Sequence, residues 1–195
     1  MNMRSRIMLS EEEFLNLPDT PGKHELLDGE LTHLPPAKHY HSIIAKRLTH
    51  LLATVLDDSR VWHEDAYWLR EGRWLIPDLS VSWPDQAMQT GWYKGSPMLA
   101  IEIASRGNTA QELESKTALY LEDGAAEVWV LYPKTRTARC RNDPEAGTLG
   151  KTGSDLEPLK LPDAGAILAE QALNMLFVFT LNERQSTGSH RTPHL

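Results

Sequence analysis

Two carboxylates stand where the sequence otherwise calls for buried strand. In Leu99-Ala100-Ile101-Glu102-Ile103-Ala104 a single acid interrupts an apolar run, and Asp78 does the same in Leu75-Ile76-Pro77-Asp78-Leu79-Ser80-Val81. A carboxylate taken out of water without compensation is strongly destabilising, so each must be paired, protonated or bound to a cation. An amine, Lys116, follows on the segment that leaves the Glu102 run. Two carboxylates and an amine suit phosphodiester hydrolysis. The acids and a backbone carbonyl can hold Mg²⁺ in an oxygen-rich octahedron, while the lysine positions or helps activate the attacking water. The first expectation is therefore that Asp78, Glu102 and Lys116 form one site.

Positioning them falls to a few elements. In a strand over 99–104, alternation puts Ala100, Glu102 and Ala104 on one face and Leu99, Ile101 and Ile103 on the other, and the two alanines leave room around the acid. Pro77 cannot donate a ladder hydrogen bond, so the Asp78 strand should be irregular, and bulges re-aim side chains. Asn108 or Thr109 caps a helix running to about 123 and stopped at Gly124, on which Lys116 and Tyr120 share a face at i, i+4. A strand over 127–132 completes a strand, helix, strand unit, which predicts parallel pairing with a crossover helix. Residues 135–141 should add an antiparallel edge.

Upstream, Ser10 and Glu13 spell a capping box for a short helix that Pro18 ends, a lid or brace. His24-Glu25-Leu26-Leu27 and 30–34 form a hairpin through Asp28-Gly29. Residues 39–56 carry Ile43, Ile44, Leu48, Leu51, Leu52 and Val55 at helical spacing. Strands over 61–69 and 74–82, joined by Glu71-Gly72-Arg73, predict a second hairpin. Residues 84–97 are expected as a long loop whose Trp92 and Tyr93 stack on a base or, the favoured option, seal an interface. Trp62, Trp68, Trp74 and Trp129 are assigned to the core. Farther on come a surface loop over 143–155, a short strand over 156–161, a small helix over 164–176 and a polar, disordered tail over 183–195. The organisation expected is one domain, 1–182, of α/β class with a central mixed β-sheet flanked by helices.

Composition narrows the function classes. With 41% apolar and 24% charged residues among 195, the chain can bury a core without metals or disulfides, and no apolar run is long enough for a membrane span. Polar Ser10-Glu11-Glu12-Glu13 stands where a signal peptide would need an apolar core, and the single Cys140 excludes an intrachain disulfide, so a cytoplasmic location is expected. A net charge of −7 argues against nucleic-acid binding by electrostatics alone. It leaves room for a nuclease, because an acidic site that recruits cations presents positive charge locally and a dimer concentrates its basic residues in one cleft.

The order Pro77-Asp78 and then Glu102-Ile103-Ala104 resembles the signature of the PD-(D/E)XK nuclease superfamily. More closely, His24-Glu25-Leu26-Leu27-Asp28-Gly29-Glu30-Leu31, Ile76-Pro77-Asp78-Leu79, Ile101-Glu102-Ile103-Ala104-Ser105, Lys116-Thr117-Ala118-Leu119-Tyr120 and Glu127-Val128-Trp129-Val130-Leu131 are similar to the Uma-type, restriction-endonuclease-like family of bacteria, abundant in cyanobacteria. The resemblance covers roughly 12–177. It implies a restriction-endonuclease-like fold and a Mg²⁺- or Mn²⁺-dependent endonuclease acting on DNA, with Asp78, Glu102 and the Ile103 carbonyl on the metal. Glu25, shared by family members, becomes a candidate extra acid. The superfamily pattern places lysine two residues after the acid, where this chain has Ala104, and Lys116 on the following helix is its match. His24 replaces the aromatic residue usual before Glu-Leu, and Ser105-Arg106 replaces a frequent Ser-Pro.

Plainer assignments exist for each residue. Glu102 could form a buried ion pair with Lys116 or an arginine, Asp78 could cap a bulge, and Lys116 and Glu25 could be solvated. His41 could meet phosphate or a metal-bound water, or be structural, and Glu64 and Asp65 could be ordinary edge charges. At the level of the whole chain the alternative is a catalytically inactive nucleic-acid-binding or regulatory module of the same fold. An unrelated metal hydrolase is disfavoured by the lack of a His-Glu-x-x-His ligand set.

Overall fold

The chain crosses between two five-stranded sheets, and candidate site residues sit at the crossings. In a computed structural model, which describes residues 6–36, 39–54, 56, 58–105, 108–135 and 137–142 and the backbone of 158–159 and 167–168, the order begins α1 (Glu11–Leu15), β1 (Lys23–Leu27), β2 (Glu30–Leu34), α2 (His39–Ala53), β3 (Val61–His63), β4 (Ala66–Arg70) and β5 (Arg73–Leu75). It continues with β6 (Leu79–Val81), β7 (Trp92–Lys94), β8 (Leu99–Ile103), α3 (Ala110–Glu122), β9 (Glu127–Tyr132), β10 (Thr137–Arg141), β11 (Pro158–Leu159) and β12 (Ile167–Leu168). The first sheet runs β2-β1-β5-β4-β7 and the second β10-β9-β8-β6-β3. Both are mixed, with parallel pairs β4–β7 and β8–β9. The α/β class with mixed pairing and flanking helices is as expected, the strands being shared between two sheets.

The hairpin expected over 61–69 and 74–82 is divided between them. Tyr67 pairs with Leu75 in the first sheet, whereas His63 pairs with Leu79 in the second. The break falls at Glu64 on one strand, which has φ 58°, and at Ile76-Pro77-Asp78 on the other. Glu64 in the left-handed region on one strand and Pro77, which has no N–H to donate, on the other leave neither able to continue its ladder, so the pair turns together onto the second sheet.

The segment 84–97 also departs from expectation. Its β7 adds to the first sheet beside β4, with Tyr67 against Tyr93. Tyr93 is buried and stacks on Tyr67 at 5.2 Å, and Trp92 meets Trp74 edge-on at 5.0 Å. Of the two aromatics expected to stack on a base or seal an interface, Tyr93 is therefore taken up by the core against Tyr67, and Trp92 is half-buried against Trp74. Trp129 and Trp74 are buried, as assigned, and Trp62 and Trp68 are half-buried.

Alternation along β8 divides the core. Leu99, Ile101 and Ile103 pack with Leu48 and Leu52 of α2 and with Trp129, whereas Ala100 joins Tyr120 and Leu119 of α3, Tyr67 and Val128. The small Ala100 lets α3 approach the sheet face that also carries Glu102. The α2 stripe stops at Ala53, short of the expected 56, and Val55 lies outside the described residues. Ser10–Glu13 and Thr109–Glu112 both form capping boxes. The β1–β2 turn has φ 51° at Asp28 and 84° at Gly29, the pair of positive values a two-residue hairpin favours. Glu11 of α1 accepts from the Trp68 indole at 3.1 Å and from the Gly72 N–H at 3.3 Å, so the short helix braces the β4–β5 turn.

Near the end, β11 falls within the expected 156–161 strand. The helix expected over 164–176 is corrected at Ile167–Leu168, which pair with Pro158–Leu159 as strand. A pairing partner overrides weak local helix preference there. The rest of that segment, the 143–155 loop and the 183–195 tail lie outside the described residues. No helix among the described residues is long and apolar enough to cross a membrane.

Candidate functional site

Register brings the two acids together. Leu79 of β6 pairs with Ile101 of β8, so Asp78, one residue earlier, stands opposite Glu102, one residue later. Lys116 reaches down from α3 and places its ammonium 2.6 Å from Glu102 Oε1 and 2.8 Å from Glu25 Oε1. Tyr120, one turn on, donates its hydroxyl to the same Glu102 oxygen at 3.2 Å. Glu25 comes from β1 in the other sheet, is completely buried, and accepts from the Ile76 N–H at 2.9 Å, which ties the crossing segment to the site.

Asp78 is held on three sides. Its Oδ2 accepts from the Ile103 N–H at 2.7 Å and from His41 Nε2 at 2.9 Å, and its Oδ1 accepts from the Lys23 ammonium at 2.6 Å. An ionised carboxylate only accepts, so His41 carries its proton on Nε2. Lys23 also lies 3.2 Å from Glu64 Oε1.

These contacts move the titrations apart. Burial alone would raise Asp78, but the His41 hydrogen bond and the Lys23 charge outweigh it and hold the carboxyl well below its usual range. Glu102 goes the other way. Burial raises it, Lys116 opposes, Asp78 and Glu25 add to the rise, and the result is a carboxyl pushed up to about 7. Burial would lower Lys116, yet Glu102 and Glu25 keep it charged beyond the usual lysine range.

Of the residues singled out by sequence, Asp78, Glu102, Lys116 and Glu25 converge here. Ile103 is present through its N–H on Asp78. His41, weighed between meeting phosphate or a metal-bound water and a structural or exposed place, is buried against Asp78, and Glu64, weighed as an edge charge, faces Lys23. Lys23 was not singled out. Its signal lay two residues before Glu25, on the same face of one strand. A cleft of about 440 Å³ lined by Trp83, Gln86, Lys94 and Gly124, among others, shares none of these residues.

The donor set suits a hard divalent cation, since it offers carboxylate oxygens and no sulfur. Among the described residues Glu25 Oε2 is buried without a hydrogen-bond partner, and Lys116 and Tyr120 both contact the Glu102 carboxylate at Oε1. No three His, Cys, Asp or Glu side chains among the described residues converge as a ready cation cage. Asp78 and Glu102 would therefore offer only two carboxylates, which fits a cation that keeps much of its water.

The site is thus two opposed carboxylates with a lysine beside them, set in a mixed α/β fold. The chain belongs to the Uma2 family, described as "Putative restriction endonuclease", whose model matches residues 11–175. Among solved structures it is similar to a crystal structure from Anabaena variabilis described as "a putative nuclease belonging to DUF820", with a TM-score of 0.69 and 19% identity over 86% of this chain and 98% of that one. That likeness concerns the fold. No curated protein matches this sequence closely enough to count.

Proposed function

We propose that the protein is a divalent-cation-dependent endonuclease that hydrolyses DNA phosphodiester bonds, with Asp78 and Glu102 holding Mg²⁺ or Mn²⁺. The observation that carries this is the pair of acids opposed across β6 and β8 with the Lys116 ammonium 2.6 Å from one of them. The Ile103 carbonyl is the proposed third protein ligand. A bound cation would supply Lewis-acid polarisation of the phosphate and a more acidic water.

The chain's own residues do the rest. Lys116, kept charged by Glu102 and Glu25, orients the attacking water and offers positive charge to the phosphate oxygens. Glu25 holds Lys116 in place and is the candidate extra acid of the site. Tyr120 keeps Glu102 Oε1 aligned, while His41 and the Ile103 N–H fix Asp78. With a net charge of −7, a homodimer that brings basic residues of both copies to one cleft is the assembly this reading favours, in a cytoplasmic setting. Residues 1–182 serve as its single domain.

Cleavage of plasmid and linear DNA with Mn²⁺ tests the proposal. Asp78→Ala and Glu102→Ala should each lower it by roughly 10²-fold or more while circular dichroism stays native-like. Unchanged cleavage in both variants would overturn it. The two lysines already seated on the carboxylates favour the alternative, a module of this fold that binds nucleic acid without cutting. Failure to bind Mn²⁺ in calorimetry, with no cleavage of any substrate, would select that alternative.

A further inference from the structure

The three groups that hold Asp78 differ in their freedom to leave. On Oδ2 sit the Ile103 N–H, fixed in the β8 main chain, and the ring of His41, carried on the buried face of α2. Oδ1 has Lys23, an ammonium on a flexible four-carbon stem with three donors. Lys23 is also the lysine nearer solvent, its side chain 13% exposed against 7% for Lys116. Lys116 bridges two buried carboxylates and could not depart without stranding both. Lys23 has somewhere to go. Glu64 Oε1 is already 3.2 Å from its nitrogen, on a residue held in the left-handed region at the strand break.

We propose that Lys23 is a built-in competitor of the divalent cation at Asp78, giving up Oδ1 and moving onto Glu64 when the cation binds. This rests on the reading of Asp78 and Glu102 as cation ligands. Without a cation, the Lys23 ammonium neutralises Asp78, which keeps a buried acidic site from being destabilised by its own charge. With a cation on Asp78, an ammonium left at Oδ1 would be a like charge in contact with it. Glu64 relieves that repulsion by taking the lysine away from the metal while keeping it paired. Lys23 and Glu64 therefore set the cation affinity of the site without being ligands.

Titration calorimetry with Mn²⁺ alone on the full chain, in the absence of DNA, tests this. Lys23→Met should bind Mn²⁺ roughly tenfold more tightly than the wild type, the scale on which groups around a metal site tune its affinity. Its unliganded melting temperature should fall and its Mn²⁺-induced rise should be larger. Glu64→Gln should bind several-fold more weakly, because the displaced lysine loses its partner, and this penalty should vanish in the Lys23→Met background. That vanishing is a readout a merely structural role would not produce. Should Lys23→Met fail to fold, Lys23→Gln, which keeps a polar partner for Asp78 without the charge, takes its place: tighter binding supports the proposal, and unchanged or weaker binding overturns it. If the wild type binds Mn²⁺ and Lys23→Met binds no more tightly, the competitor role falls and the cation site stands. If neither binds, the reading of the site falls and takes this inference with it.

Discussion

Two ion clusters join the first sheet to α3, one at Lys116 and the other at the helix end. At the end, Arg73 of β5 binds Asp28 of the β1–β2 turn, Glu122 at 3.0 Å and Asp123 at 2.7 Å, and Arg70 adds a second contact to Asp123 at 3.2 Å. Two guanidiniums thus meet three carboxylates. In the candidate site two ammoniums, Lys23 and Lys116, meet four carboxylates, Glu25, Glu64, Asp78 and Glu102. Each cluster has an excess of negative charge, but the excess is disposed differently. Asp28 and Glu122 have side chains 63% and 46% exposed, so water solvates what arginine does not. Glu25 and Glu102 are buried, and one Glu25 oxygen has no hydrogen-bond partner among the described residues. An excess solvated by water is a surface brace. An excess held away from water must be answered by a proton or by another cation, and that is what separates the two clusters.

The comparison breaks most readily at Lys116. Lys116→Met should lower stability by about 3–5 kcal/mol in chemical denaturation, because it leaves Glu25 and Glu102 buried without their cation. Adding Glu25→Gln to it should restore part of the loss. A single variant within about 1 kcal/mol of the wild type would mean that water already reaches these carboxylates, and the distinction between the clusters would fail.

Arg73→Met should cost less, about 1–3 kcal/mol, since the exposed Asp28 and Glu122 regain water when the guanidinium goes and the less exposed Asp123 keeps Arg70. Its cost should also shrink in high salt, unlike that of Lys116→Met. Equal losses would make both clusters the same kind of brace.

The smallest effect is one of slope, with opposite signs in the two places. Burial raises Glu102 from 4.5 to about 7, so its folded-state contribution is fully present below pH 4.5 and is lost as pH rises through about 7. Without a cation, Glu102→Gln should gain stability relative to the wild type across that window. Asp28 is lowered by its hydrogen bond from Arg73, so its contribution is present above 3.8 and is lost as pH falls further. Melting temperatures followed across pH would show Arg73→Met flattening the acid limb alone. A slope unchanged in both variants would remove the electrostatic contrast.

The candidate site was legible in part because some of its chemistry is local. Glu102 flanked by alanines, and Lys116 with Tyr120 on one helix face, follow from the periods of strand and helix. Both observed faces agree, since Ala100 packs with Tyr120 while Leu99 and Ile101 pack with α2. His41 and Lys23 gave less to work with. A histidine opening a helix and a lysine opening a strand look the same whether they face solvent or an acid far along the chain, and here both find Asp78. Trp92 and Tyr93 misled for a related reason: aromatic residues in a long connection have no periodicity to reveal a parallel pairing with β4.

What the sequence by itself determined is the set of local faces: the β8 alternation, the capped α3, the Asp28-Gly29 turn, and the acids that had to find partners. Those follow from backbone geometry within a few residues. Only the tertiary structure decided that β1 of one sheet would bring Lys23 and Glu25 to the acids of the other, and that the long hairpin would break at Glu64 and Pro77 to let it. Pairings across fifty or more residues depend on which surfaces bury best together, and no local period records that outcome.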